Sequence, residues 1–162
     1  CGWTGVLFDS EFRRNTVINL HRKLVSPENI NLLFNEYKVP HDFDFLSIDI
    51  DGYDYWVWKA LTYEPRVVQI EASMGFSPLV SRVPRYNKKK GNPHKGEGAS
   101  VSALKKLGES KGYSLVYRQR HDLFFVKTEL LNKEDVDIPL EKIYSGPYES
   151  SCSQRRSNFT DV

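Results

Sequence analysis

Cysteine is nearly missing from this chain. Cys1 and Cys152 stand at its two extremes, so neither a metal-site spacing nor a disulfide framework can be drawn from them. At most one bridge could form between them. No apolar run approaches bilayer length, which excludes a helical membrane span. No signal peptide is visible. Internal repeats are absent. A net charge of +2 is too small to call for a nucleic-acid partner. Acids are absent from Ala72 to Gly96, while Arg82, Arg85, Lys88, Lys89, Lys90 and Lys95 are all basic. That stretch reads either as a solvated loop or as a lid over an anionic substrate. Few aromatics accompany it besides Tyr86, so nucleic-acid binding is unlikely. An acidic protein surface is another partner that residues 82–95 would fit. Asn158-Phe159-Thr160 is a glycosylation sequon, a tripeptide common by chance. The compartment stays open, with a cytoplasmic setting slightly favoured.

What is present suits a packed domain. Hydrophobic residues make up 40% and charged residues 27% of 162 positions. Gly5–Asp9 is a short apolar run ending in an acid, and it predicts a buried strand. Thr16–Leu20 fits a strand, or the middle of a helix over 12–24 with Phe12, Thr16, Leu20 and Leu24 on one face. Ser26-Pro27 opens a helix that carries Ile30, Leu33, Phe34 and Tyr37, and Val39-Pro40 ends it. Residues 44–50 predict a strand covered on both faces. Gly52 turns the chain, Asp54 stands where an N-cap belongs, and 55–61 continue as a helix. Residues 66–71 give another strand ending in an acid. A long loop is expected over 72–97. The Gly96-Glu97-Gly98 triplet would be its hinge. Ser100–Lys111 reads as a helix stopped by Gly112. Tyr113–Arg118 and Leu123–Leu130 form a hairpin around His121-Asp122. Residues 132–162 are expected to be an irregular extension with its last ten or so residues mobile. Alternation of this kind predicts a mostly parallel α/β sheet over residues 1–131, with an antiparallel hairpin at its end.

The segment "FLSIDIDGYDYWVWKAL" carries the chemistry. Asp49 and Asp51 point the same way along a strand, near the carboxyl end where open α/β sheets bind ligands. Two close carboxylates raise one another's pKa unless a cation or donor lies between them. A general base or a Mg²⁺ site would both use that pair. Asp51 is the first catalytic candidate. Asp49 could equally bond nearby backbone, and Asp54 could simply cap its helix. Glu71 is placed as a substrate-facing acid, or as a partner for the basic loop. Tyr53 precedes the helix and could face a ligand, whereas Tyr55, Trp56 and Trp58 read as core. His94 is the one histidine in the lid region.

"FDFLSIDIDGYD" resembles the FkbM-type motif of class I S-adenosylmethionine-dependent methyltransferases, and "GASVSALKKLGESKGYSLVYRQRHDLFFVKTEL" is similar to their closing helix and hairpin. The resemblance implies a Rossmann-like methyltransferase fold. It implies O-methyl transfer to a small molecule or sugar, with S-adenosylmethionine as donor. It places Asp9 at the cofactor ribose, with Asp49, Gly52 and Tyr53 also on the cofactor side. Asp51, Asp49 and Glu71 would be catalytic, and Asp49 and Asp51 would hold Mg²⁺. Arg82, Arg85, Lys88 and His94 would line the substrate lid. Gly5–Asp9 matches the second strand of that fold, so the first strand and its glycine loop have no counterpart. The helix after Asp9 is shortened or lost. The chain therefore reads as N-terminally incomplete, and catalysis as conditional on an upstream segment. The alternative is an inactive methyltransferase-like module serving as a structural or protein-interaction subunit.

Overall fold

The computed structural model describes residues 2, 4–12, 14–87, 98–136, 139–143 and 159–162. Cys1, Lys88, His94, Cys152, the 96–97 part of the glycine hinge and Asn158 of the sequon lie outside them. The elements run β1 (Leu7–Asp9), β2 (Leu20–Arg22), α1 (Ile30–Glu36), β3 (Phe45–Ile48), α2 (Asp54–Ala60), β4 (Val67–Glu71), β5 (Arg82–Pro84), α3 (Val101–Ser110), β6 (Tyr113–Gln119), β7 (Asp122–Lys127), α4 (Leu140–Ile143) and β8 (Phe159–Asp161). The architecture is mixed α/β with open sheets. Strands order as β3-β4-β7-β6 in the largest sheet, with β3 and β4 parallel and the other two pairings antiparallel. β1 and β2 form a separate parallel pair, and β5 and β8 an antiparallel one. No helix among the described residues is long and apolar enough to cross a membrane.

The core sits on one face of the large sheet. Ile48, Val68, Ile70, Leu123 and Phe125 alternate inward along their strands and pack with α2 and α3. Trp58 anchors this layer, with its ring 4.8 Å from Phe125 and 5.9 Å from Tyr113. α3 can lie close to the sheet because Gly108 faces the same rings. A Cβ there would come within 2.7 Å of Phe125. Ser100 caps this helix by accepting from Ala103 N, and Gly112 ends it at φ +82°. Both ends match the sequence expectation, as do β4 and the hairpin.

Four expectations fail for identifiable reasons. The 12–24 helix does not form. Asn15 Oδ1 accepts from Val17 N, Asn19 adopts φ +51°, and Asn15 and Leu20 exchange two backbone bonds. Asparagine's competition for backbone partners thus makes a tight turn of Thr16–Asn19, which leaves Val17 91% exposed. The strand falls at Leu20–Arg22 instead. The 26–29 stretch is a turn preceding α1. Ser26 acts there through its backbone, donating to Asn29 Oδ1 and accepting from Ile30 N. β3 is covered on one face only, and its other face carries Phe45 and Ser47 outward. Lastly, the 72–97 loop contains β5, and the tail supplies both β8 and α4. Ile143 of α4 is buried in the core, and Asp161 of β8 binds Arg82 at 2.7 Å. Tail residues find apolar and charged partners that local composition does not reveal.

Candidate functional site

β3 and β4 run parallel, so their carboxyl ends come out side by side. Asp49 follows β3 directly. The chain then turns through Asp51 at φ +57° and Gly52 at φ +129°. Aspartate tolerates the left-handed region poorly but better than most residues, and such strain clusters at functional sites. Glu71 ends β4. Through this geometry Asp49, Asp51 and Glu71 each bring a carboxylate oxygen to within 4.8 Å of the others. The structure thus joins all three residues that the sequence put forward as catalytic.

Asp54 has a different task from the one expected. It is the first residue of α2, fully buried, and Tyr53 takes the cap position without a side-chain cap bond. One Asp54 oxygen accepts from Ile50 N at 3.0 Å and the other from Gly52 N at 2.9 Å. It therefore caps the turn that carries Asp51, rather than the helix. Burial raises its pKa, and the backbone bonds offset only part of that rise.

The electrostatics are those of crowded carboxylates. Burial, then the charges of Asp49, Asp54, Asp51 and Asp122, push Glu71 up to about 7. Asp49 is raised by burial first, and then by Asp51 and Asp122. Asp122 was not singled out from sequence. Antiparallel pairing of β4 with β7 sets it opposite Glu71, and Gln69 Nε2 donates to it at 2.9 Å. Only the cross-strand register could have revealed it.

The remaining candidates are dispersed. Asp9 lies on the separate β1–β2 pair. Its Oδ1 accepts from Glu11 N at 2.7 Å and Phe12 N at 2.9 Å, and these bonds hold its pKa below the usual value. Gly52 and Tyr53 are buried in the turn. Tyr53 packs its ring 5.0 Å from Tyr86, and its hydroxyl accepts from Asn87 N. This packing follows from the 82–87 segment folding onto α2, which Trp56 Nε1 secures by donating to Pro84 O at 2.8 Å. Arg82 is ion-paired with Asp161 at 2.7 Å. Arg85 is exposed.

Oxygen donors alone, three of them carboxylates, suit a hard divalent cation such as Mg²⁺, Mn²⁺ or Ca²⁺. S-adenosylmethionine fits less well. Asp9 already spends one oxygen on its own turn, and the described residues contain no glycine-rich strand-to-helix loop to cradle the cofactor. No protein-family model, curated protein or solved structure matches this chain.

Proposed function

We propose that this chain is a methyltransferase-like α/β domain whose acid cluster binds a divalent cation and manages the proton of an acceptor hydroxyl. The convergence of Asp49, Asp51 and Glu71 within 4.8 Å at the carboxyl ends of parallel strands carries this reading. A bound cation would relieve the carboxylate repulsion and lower the pKa of a coordinated hydroxyl. Glu71, held near 7 by burial and the neighbouring carboxylates while no cation is bound, would release its proton when the cation enters and would complete the ligand set. Asp49, Asp51 and Glu71 would hold the cation. The acceptor class is a small molecule or sugar with an ionisable hydroxyl. Methyl donation by S-adenosylmethionine is part of the reading only where a further segment cradles that cofactor, so no step is derived through it.

Calorimetric titration with Mn²⁺ tests the site. One equivalent should bind to the wild-type chain and be lost in Asp51→Asn. Absence of binding near neutral pH would sink the cation reading. The second reading, an inactive module acting through protein contacts, draws support from Asp9, whose engagement with its own turn leaves it poorly placed for a ribose. Titration with S-adenosylhomocysteine separates the two readings. Binding favours the enzyme, while no binding together with a stoichiometric partner favours the module.

A further inference from the structure

β5 is held on both sides. On one side Ser100 pairs with Arg82: Ser100 N donates to Arg82 O at 2.8 Å, and Arg82 N donates to Ser100 Oγ at 2.9 Å. On the other side lies β8, in the antiparallel register Arg82↔Asp161, Val83↔Thr160 and Pro84↔Phe159. Val162 N extends this ladder by donating to Ser81 O at 3.1 Å. Two side chains read the added strand. Arg82 Nε meets Asp161 Oδ1 at 2.7 Å, and Lys106 on α3 donates to the backbone O of Val162 at 2.9 Å. Val83 is fully buried beneath the strand pair.

We infer that β5 and the start of α3 form a strand-addition groove whose occupant is the chain's own segment 159–162, and that this occupant is exchangeable for the same segment of a second copy. Backbone bonds, with Lys106 on the Val162 carbonyl, supply general affinity for an extended peptide, and the Arg82 cation selects one with a carboxylate at the Asp161 position. The strand is short and makes its ion pair at the surface, with Asp161 78% exposed on its side chain. Such a pair holds weakly. The fit also leaves one contact unmade. Ser81 Oγ is buried and, among the described residues, has no hydrogen-bond partner. A seated strand that leaves a buried hydroxyl unsatisfied is not optimised for permanence.

Hydrogen bonds tie β5 to the neighbourhood of the carboxylate site. Ser73, two residues after Glu71, donates its N–H to Ala99 O and bridges to Ser100, the residue that also holds β5. Beyond β5, Asn87 N bonds Tyr53 in the turn after Asp51. Segment 82–87 thus connects the groove to both arms of the site. This link rests on the proposed function, while the groove itself does not.

The test uses the 162-residue chain and a fluorescent peptide of residues 157–162. In the wild type the tethered segment competes at high effective concentration, so added peptide should bind weakly. Asp161→Lys in the chain sets two cations face to face and should release the segment. Peptide should then bind at least fivefold more tightly than to wild type, by fluorescence anisotropy. Adding Arg82→Ala to that variant should cost about fivefold in affinity. Hydrogen exchange over 81–84 should speed up in Asp161→Lys and slow again when peptide is added. Equal peptide affinity for wild type and Asp161→Lys, or no peptide binding to either, overturns the groove. The charge swap Arg82→Asp with Asp161→Arg guards against misfolding and should restore wild-type exchange. Mn²⁺ titration of the same proteins is read separately, so a failed cation site leaves the peptide result decisive.

Discussion

Replacing Glu71 by Gln tests the carboxylate crowding directly. The three oxygens lie within 4.8 Å of one another. At that separation two like charges repel by about 1 kcal/mol in water and about 3 kcal/mol at the effective dielectric of a protein surface. Glu71 is raised from 4.5 to about 7. The folded state therefore holds its proton to higher pH than the unfolded chain does. Between those two values the native state binds more protons, so stability falls as pH rises, and the loss is complete above about 7. Taken at face value the shift would exceed 3 kcal/mol, but Glu71 is only half-buried. Solvent screening brings the expected penalty to about 1 kcal/mol. Glu71→Gln removes the charge. Without divalent cations the variant should gain about 1 kcal/mol over wild type between pH 5 and pH 8, or about 2–4 °C in Tm for a chain this size. Millimolar Mg²⁺ at pH 8 should raise the wild-type Tm and leave the variant almost unmoved. Thermal melts by circular dichroism at the two pH values, with and without Mg²⁺, supply all four numbers. A difference between variant and wild type that does not grow with pH would refute the repulsion. An equal Mg²⁺ response in both would remove Glu71 from the cation site.

Two further substitutions probe the support around the cluster. Asp54→Asn keeps the shape but presents an NH₂ group to one of the two N–H donors it now serves, Ile50 N or Gly52 N. Urea unfolding should show a loss of about 2–3 kcal/mol, and Mn²⁺ affinity should drop with it. A stability loss below about 0.5 kcal/mol would mean the turn does not depend on this carboxylate. Gly108→Ala places a methyl 2.7 Å from the Phe125 ring and 3.1 Å from Trp58. Overpacking there should destabilise by about 1–3 kcal/mol in the same assay, although alanine is the better helix former. A neutral or stabilising result would show that α3 can move away from the sheet.

Those two residues also show what a sequence can and cannot announce. α3 was legible because its signals are local: a serine cap, a three-four apolar spacing and a terminal glycine. The paired acids at the end of β3 were legible because strand direction alone puts them where ligands gather. Asp54 was misread because an acid before a helix usually caps it. Here the preceding turn has two positive-φ residues, Asp51 and Gly52, and the Ile50 and Gly52 N–H groups donate to the carboxylate. The 12–24 segment was ambiguous because its apolar spacing fits a helix while Asn15 and Asn19 favour a turn, and side-chain bonds decided it. Asp122, β5 and β8 depend on pairings between residues more than fifty positions apart, which no local pattern encodes.

The same distinction explains how the acid cluster can exist at all. Each carboxylate alone is an ordinary strand-end or turn residue, compatible with its local structure. Their conflict appears only when β3, β4 and β7 align and bring Asp49, Asp51, Glu71 and Asp122 to one end of the sheet. Local rules favour every element, yet their sum places like charges together in a partly buried corner. Asp54 adds a further carboxylate beneath them, with backbone N–H groups as its described partners. A fold selected for stability alone would replace Glu71 with glutamine at no cost to β4, because the side chain sits at the strand's end. A ligand that binds the carboxylate would offset the cost of having it there. The proposed divalent cation would turn the repulsion into ligation. That is why the Mg²⁺ response of the wild type, set against Glu71→Gln at pH 8, discriminates a site from a coincidence of strand ends.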